Sequence, residues 1–189
     1  MIIAAKNLRD KTALDCVPGD RSGWYRWWAP PAALESLLGE HYKQLFPRLT
    51  QGNGSLSGLY CIYVGVAIKE SVRARLNWHV NQSHTANCVR LGTLSTLRQS
   101  ISSLAGIDQM DEKATNDLID QLTIEYFPST QAIKSAAAKK ELEQSEKAEM
   151  NFHVLPLNIQ HNHNPFILDF KRMLKVARKA AKQRGLAGV

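Results

Sequence analysis

The spacing of apolar positions changes several times along the chain, and each change predicts an element. From 23 to 29, Gly23-Trp24-Tyr25-Arg26-Trp27-Trp28-Ala29 is dense in aromatic residues and predicts a strand, closed by Pro30-Pro31. Leu34, Leu37, Leu38 and Tyr42 then fall at helical spacing and predict a helix over 31–46. Gln51-Gly52-Asn53-Gly54-Ser55 has turn chemistry. A second β-rich run, Leu59 to Val64, predicts a strand over 58–66, and Val72, Leu76 and Val80 predict a helix over 70–81. Leu91, Leu94, Leu97, Ile101 and Leu104 predict a helix over 91–105. An acidic loop over 107–114 and a short helix over 115–121 follow. Leu122 to Phe127 predicts a third strand, and the Ala- and Lys-rich stretch 130–150 a long helix. After a turn at Pro156-Leu157-Asn158, a last helix is predicted over 166–184. Its stripe of Phe166, Phe170, Leu174, Ala177 and Ala181 should dock on the core. That arrangement turns Lys171, Lys175, Arg178, Lys179, Lys182 and Arg184 outward.

Composition narrows the picture. The chain has 189 residues, 44% of them hydrophobic, enough for one sizeable core in a single domain spanning 1–189. No internal repeat, low-complexity linker or run of eighteen apolar residues interrupts it. Cys16, Cys61 and Cys88 lack metal-type spacing and suit free thiols in a reducing cytoplasm. The formal charge of +7 points to a polyanion, and from Pro165 onward seven basic residues stand against one acid.

Candidate chemistry lies where the second strand meets the helix after it. Tyr63-Val64-Gly65 is followed by Arg73-Ala74-Arg75-Leu76-Asn77-Trp78-His79, and Arg75 and His79 share a helix face. On the helix over 130–150, Glu141, Glu143, Glu146 and Glu149 are all candidates for an acid role. Glu143 has Lys139, Lys140 and Lys147 as neighbours, a solvated face, whereas Glu146 has Leu142 and Met150 one turn away on the inward stripe. Glu146 is therefore the first choice and Glu143 the second. His161-Asn162-His163 reads as a solvent-facing loop.

In order and in residue type, these motifs resemble the GIY-YIG nuclease family. Gly23-Trp24-Tyr25 stands in the place of the first motif and Tyr63-Val64-Gly65 in that of the second. Arg75 matches the family's basic helix position, with His79 as in some restriction-type members. Glu146 matches the metal-binding acid, with Asn158 twelve residues on. The resemblance covers about 23–158 and leaves insertions at about 30–57 and 80–121. It implies an α/β (α+β) fold with a three-stranded antiparallel sheet flanked by helices, the basic helix being appended. It implies a Mg²⁺-dependent endonuclease, with Mn²⁺ as a substitute ion, acting on double-stranded DNA, and it is compatible with a homodimer. A restriction or defence role is the leaning. The alternatives are a structure-specific repair or recombination nuclease and a catalytically silent nucleic-acid-binding module. By the same resemblance Tyr25 activates the water, Tyr63 orients a ligand, Arg75 neutralises phosphate charge, His79 relays a proton and Glu146 holds the metal. Gly23, Gly65 and Asn158 support them. Recognition falls to the two insertions, while Lys171, Lys175, Arg178, Lys179, Lys182 and Arg184 are expected to hold the DNA backbone. Arg90 and Arg98 take over that part only if the last helix is a structural brace.

Overall fold

In a computed structural model, which describes residues 1–187, a four-stranded antiparallel sheet is covered by helices on both faces. The elements in chain order are β1 (Ile2–Ala4), α1 (Lys11–Asp15), β2 (Arg21–Ala29), α2 (Pro31–Leu38), α3 (Tyr42–Leu45), β3 (Tyr60–Ala67) and α4 (Val72–Asn81). Then come α5 (Ala86–Leu91), α6 (Thr96–Leu104), α7 (Glu112–Ile119), β4 (Thr123–Ala132), α8 (Ala136–Phe152) and α9 (Leu168–Ala187). The strands lie in the order β1-β4-β2-β3, so β2 is central and β3 is an edge.

Side chains alternate cleanly along β2, because successive strand residues face opposite sides. Tyr25, Trp27 and Ala29 join the larger core with Leu76 and Val80 of α4, Leu97 and Ile101 of α6, and Phe170 and Leu174 of α9. Trp24 and Trp28 point the other way, where Cys61, Val64, Met150 and Leu155 form a second cluster under α8. Trp24 stacks on Phe127 with ring centroids 4.1 Å apart, and Arg26 lies over its ring at 4.7 Å. A bulge between Trp27 and Trp28 in the pairing with β3 sends both Ile62 and Tyr63 to the larger core.

The apolar pattern does not disclose the fourth strand. Three residues give no alternation to detect, yet Ile2, Ile3 and Ala4 pair with Glu125, Ile124 and Thr123. The amino terminus adds a 3.0 Å bond to the Tyr126 carbonyl. β4 runs through Pro128 to Ala132, delaying the long helix to Ala136. Proline is tolerated there because β1 covers only 123–125, so no partner is waiting for an N–H at 128. The expected helix over 31–46 breaks into α2, short 3-10 turns and α3. The one over 91–105 is split at Gly92, whose φ of +69° closes α5, and Ser95 recaps α6 by accepting from the Arg98 amide.

The 80–121 segment is not a projecting insertion. Leu97, Ile101 and Ile119 are fully buried, and α9 packs on α5 and α6. Arg98, a fallback cation for DNA contact, is 0% exposed. It bonds His84 Nε2 at 2.6 Å, the His79 and Val80 carbonyls, and Asn116 Oδ1. A buried guanidinium with four partners ties α4, α6 and α7 together. Phe166, expected in the docked stripe, is 53% exposed, with Arg48 over its ring at 4.2 Å. Phe170, Leu174 and Ala181 do dock. No helix among the described residues is long and apolar enough to cross a membrane, and all three cysteines are free.

Candidate active site

Antiparallel register places Tyr25 of β2 opposite Gly65 of β3, and Trp27 opposite Tyr63, so both phenols lie on one face. Gly65 has no Cβ for a local reason: one built there would overlap the Tyr25 hydroxyl. Gly23 answers to a similar need, since a Cβ would run into the Phe127 carbonyl of β4. The two glycines thus let the central strand and its neighbours close around a tyrosine.

Ser71 caps α4 by accepting from the Ala74 amide at 3.1 Å, fixing where the helix begins. His79, two turns on, is 1% exposed and meets the Tyr25 hydroxyl through Nε2 at 2.6 Å. Its ring packs edge-on against Trp27 and Tyr63 at centroid distances of 5.8 and 5.9 Å. Burial, reinforced by the charges of Arg75 and Arg98, holds this imidazole's pKa well below its usual value, so it is neutral. Nδ1 is buried with no hydrogen-bond partner among the described residues.

Arg75, one turn before His79, pairs with Glu70 at 2.6 Å and lies over Trp78 at 4.9 Å. Its Nε is buried and has no partner among the described residues. Glu70 escapes sequence reasoning, which has no way to see that the loop before α4 folds back onto it.

The four competing glutamates separate sharply. Glu149 bonds Arg26 with both carboxylate oxygens, at 2.9 and 2.7 Å, on the opposite face of the sheet. Glu141 and Glu143 are exposed, and Glu143 lies 3.9 Å from Lys139. Glu146 alone is half-buried with no hydrogen-bond or ion-pair partner among the described residues. Burial raises its carboxyl pKa, opposed by the charges of His161 and Arg75. It lines a cavity of about 200 Å³ together with Tyr63, Thr96, Asn158 and His161.

The segment after α8 closes this cavity by running along the edge of β3. The Leu157 amide donates to the Ile62 carbonyl at 3.0 Å. Asn158 accepts from the Val64 amide at 2.9 Å and donates to the Val64 carbonyl at 2.8 Å, imitating a paired strand. The asparagine predicted from its spacing to Glu146 is therefore a brace for the Tyr63-Val64-Gly65 strand, with no amide atom left over.

The five predicted residues do gather. Tyr25, Tyr63 and His79 are in ring contact, and the charges of Arg75 and Glu146 act on both phenols. They are not equally placed, however. Tyr25 is 2% exposed and turned toward His79, and burial raises its pKa well above 10. Tyr63 faces the cavity, its pKa pushed up to about 12 by burial and Glu146 and pulled back by Arg75 and Arg178.

The C-terminal basic residues do not form one outward face. Lys171 donates to the Asn162 carbonyl, Lys182 to the Arg90 carbonyl, and Arg184 pairs with Asp108 at 2.8 Å. Arg178 is partly buried, bonded to Gln99 Oε1, and has no acidic partner among the described residues. Lys175 and Lys179 do face solvent. The sequence does not link Arg178 to Tyr63, because a helical wheel separates charged from apolar faces and not buried cations from free ones.

A hydrated divalent ion fits the donor set here. A single carboxylate, unpaired among the described residues and opening on a cavity with room for several waters, is what Mg²⁺ uses when it keeps most of its water shell. Among the described residues, no cluster of three or more His, Cys, Asp or Glu side chains stands ready to strip that shell.

A family model of the GIY-YIG catalytic domain matches residues 23–180. No curated protein and no solved structure matches the chain. The chain belongs to the GIY-YIG family, and is thus a nuclease, with DNA as the substrate that the family implies. The match extends past the expected boundary at 158 and takes in most of α9, in keeping with the burial of that helix.

Proposed function

We propose that this protein is a metal-dependent DNA endonuclease, with its active site in the cavity at the edge of β3. The observation that carries this reading is the convergence of Tyr63 and the unpaired Glu146 carboxylate on one cavity. Arg75 stands within electrostatic reach of both.

Each side chain has a part suited to its surroundings. Glu146 would hold the divalent ion, which supplies Lewis acidity at a phosphate oxygen. Arg75 carries positive charge beside both Tyr63 and Glu146, where it would offset the charge of a bound phosphate. Tyr63 is the phenol that faces the substrate, and its hydroxyl orients the attacking water. At neutral pH it carries its proton, and Arg75 and Arg178 favour the phenolate form. Tyr25 and His79 form the second layer. The neutral imidazole fixes the Tyr25 hydroxyl, and burial, which disfavours the charged form of each, keeps the proton on the phenol. The water-activating role read from the family order for Tyr25 is assigned here to Tyr63, because Tyr25 does not face the cavity.

A restriction-type, defence-associated role is the finer form of the proposal. Incubating the protein with mixed plasmid, with and without Mg²⁺ and after chelation, tests it. Metal-dependent cleavage supports the reading. A fixed sequence at the cut ends supports restriction, and cuts confined to branched junctions support repair. Binding without cleavage at any metal concentration would make the chain a silent nucleic-acid-binding module.

A further inference from the structure

The cavity shared by Tyr63 and Glu146 adjoins a larger one of about 450 Å³, lined by Glu143, Lys147 and His163 among others. Two residues line both: Glu146 and His161. Glu146 arrives from α8. His161 arrives from the loop that follows, and its imidazole has no hydrogen-bond partner among the described residues.

That loop is not a slack connection. Asn158 is bonded twice to β3. Asn162 is fully buried, donates to the Leu155 carbonyl at 3.2 Å and accepts from the Asn164 amide at 3.1 Å. Lys171 of α9 holds the Asn162 carbonyl at 2.6 Å. Between these anchors His161 adopts φ +56°, a left-handed conformation that a residue with a Cβ occupies only at a cost. Two inward-facing asparagines and one strained residue carry an imidazole outward to the carboxylate. Strain of this kind gathers at ligand sites.

Resting on the reading of Glu146 as the metal-binding carboxylate, we propose that His161 is a second protein ligand of the same divalent ion. The site would then have one carboxylate oxygen, one imidazole nitrogen and waters. A nitrogen donor is of little use to Mg²⁺, which prefers oxygen, but raises affinity along the series from Mn²⁺ to later transition metals. The protein should therefore bind Mn²⁺ more tightly than Mg²⁺. Lys147 reaches only the larger cavity, so the ion would sit on the Tyr63 side, away from that cation.

The test is Mn²⁺ binding to the full chain, followed by calorimetry and by electron spin-echo spectroscopy, which detects nitrogen bonded to the ion. The variants are His161→Gly, His163→Ala and Glu146→Gln. Glycine adopts φ +56° without penalty, so the first variant keeps its loop. The expected result is a nitrogen signal in the natural protein that disappears in His161→Gly and survives in His163→Ala. Mn²⁺ affinity should fall about tenfold in His161→Gly, the scale on which loss of a supporting group weakens a metal site. Tight Glu146-dependent binding with no nitrogen signal would overturn the role of His161 and leave the proposed function standing. A signal that vanishes in His163→Ala instead would do the same. Mn²⁺ binding unchanged in Glu146→Gln would overturn both readings.

Discussion

Tyr25 and His79 lie 54 residues apart in sequence and share a 2.6 Å hydrogen bond in the interior. Neither side chain reaches solvent, and the imidazole is neutral because burial disfavours its charge. The pair joins the central strand to the helix carrying Arg75, so its loss should affect both folding and chemistry. Tyr25→Phe leaves a buried imidazole with no partner at either nitrogen. Stability should fall by about 1–3 kcal/mol, the cost of an unsatisfied buried polar group. Denaturant melts and single-turnover cleavage measure the two effects. A variant that keeps full stability and full rate would reduce the bond to simple packing.

Gly65 should be coupled to Tyr25. Gly65→Ala places a methyl group against the Tyr25 ring and hydroxyl, and a cost of about 3 kcal/mol is expected, at the upper end for overpacking. Tyr25→Leu vacates that space, so the double variant should cost clearly less than the sum of the singles. Strict additivity in thermal melts would mean that the glycine serves some other need.

Stability should decline as the pH is lowered from about 6.5 towards 4. His84 accepts a 2.6 Å bond from buried Arg98, and burial together with that guanidinium depresses its pKa to about 4. Below the unfolded value near 6.5 the unfolded chain takes up a proton that the folded chain refuses, so folding loses free energy until the folded pKa is reached. The depressed pKa values of His79 and His153 act in the same direction. Glu146 acts in the opposite one, because its raised pKa favours the folded state as it protonates. Melting temperature against pH measures the net effect, and His84→Gln should flatten the curve in this window. An unchanged slope in that variant would remove His84 from the account.

The basic helix separates into two kinds of residue. Lys175→Gln with Lys179→Gln should leave stability intact and lower the salt slope of log K for duplex DNA by about 0.9 for each phosphate no longer neutralised. Arg178→Gln should behave differently, slowing cleavage because it takes a cation from beside Tyr63. Equal losses of affinity in all three positions would restore a single outward DNA-binding face.

The order of the chemistry is legible from the residues. Two tyrosines in strand-like runs, an arginine one turn before a histidine and a glutamate on an inward stripe are local signals, and they point to elements that do meet. The choice of Glu146 over Glu143 also follows from its apolar neighbours alone, and that carboxylate has no partner among the described residues. What sequence does not disclose depends on packing made at long range. Arg98 sits among serines and a glutamine, and nothing local distinguishes a buried hub from a surface cation. β1 is too short to show a period. Asn158 stands out by its spacing, but its role as a brace is visible only once Val64 lies beside it. His161 is exposed, as its loop reads, but its place beside Glu146 is not legible, because the turn is set by Asn162 and by Lys171 of another helix.

Arg75→Ala should slow cleavage by about 10²–10³, as expected when charge stabilisation of the transition state is removed. Substrate binding should change much less. Glu70→Gln should be mild by comparison, since it removes only the counterion at 2.6 Å. A Glu70→Gln variant as impaired as Arg75→Ala would mean that the pair itself, and not the guanidinium, is the working unit.

Glu146 is the carboxylate on which the proposed metal-dependent cleavage depends, and Glu146→Gln tests that dependence most directly. The variant keeps the size of the side chain and removes its charge. Plasmid cleavage in Mg²⁺ and duplex binding by gel shift are measured side by side with the unaltered protein. Cleavage should be lost and binding retained. Cleavage at the unaltered rate by Glu146→Gln would contradict that dependence.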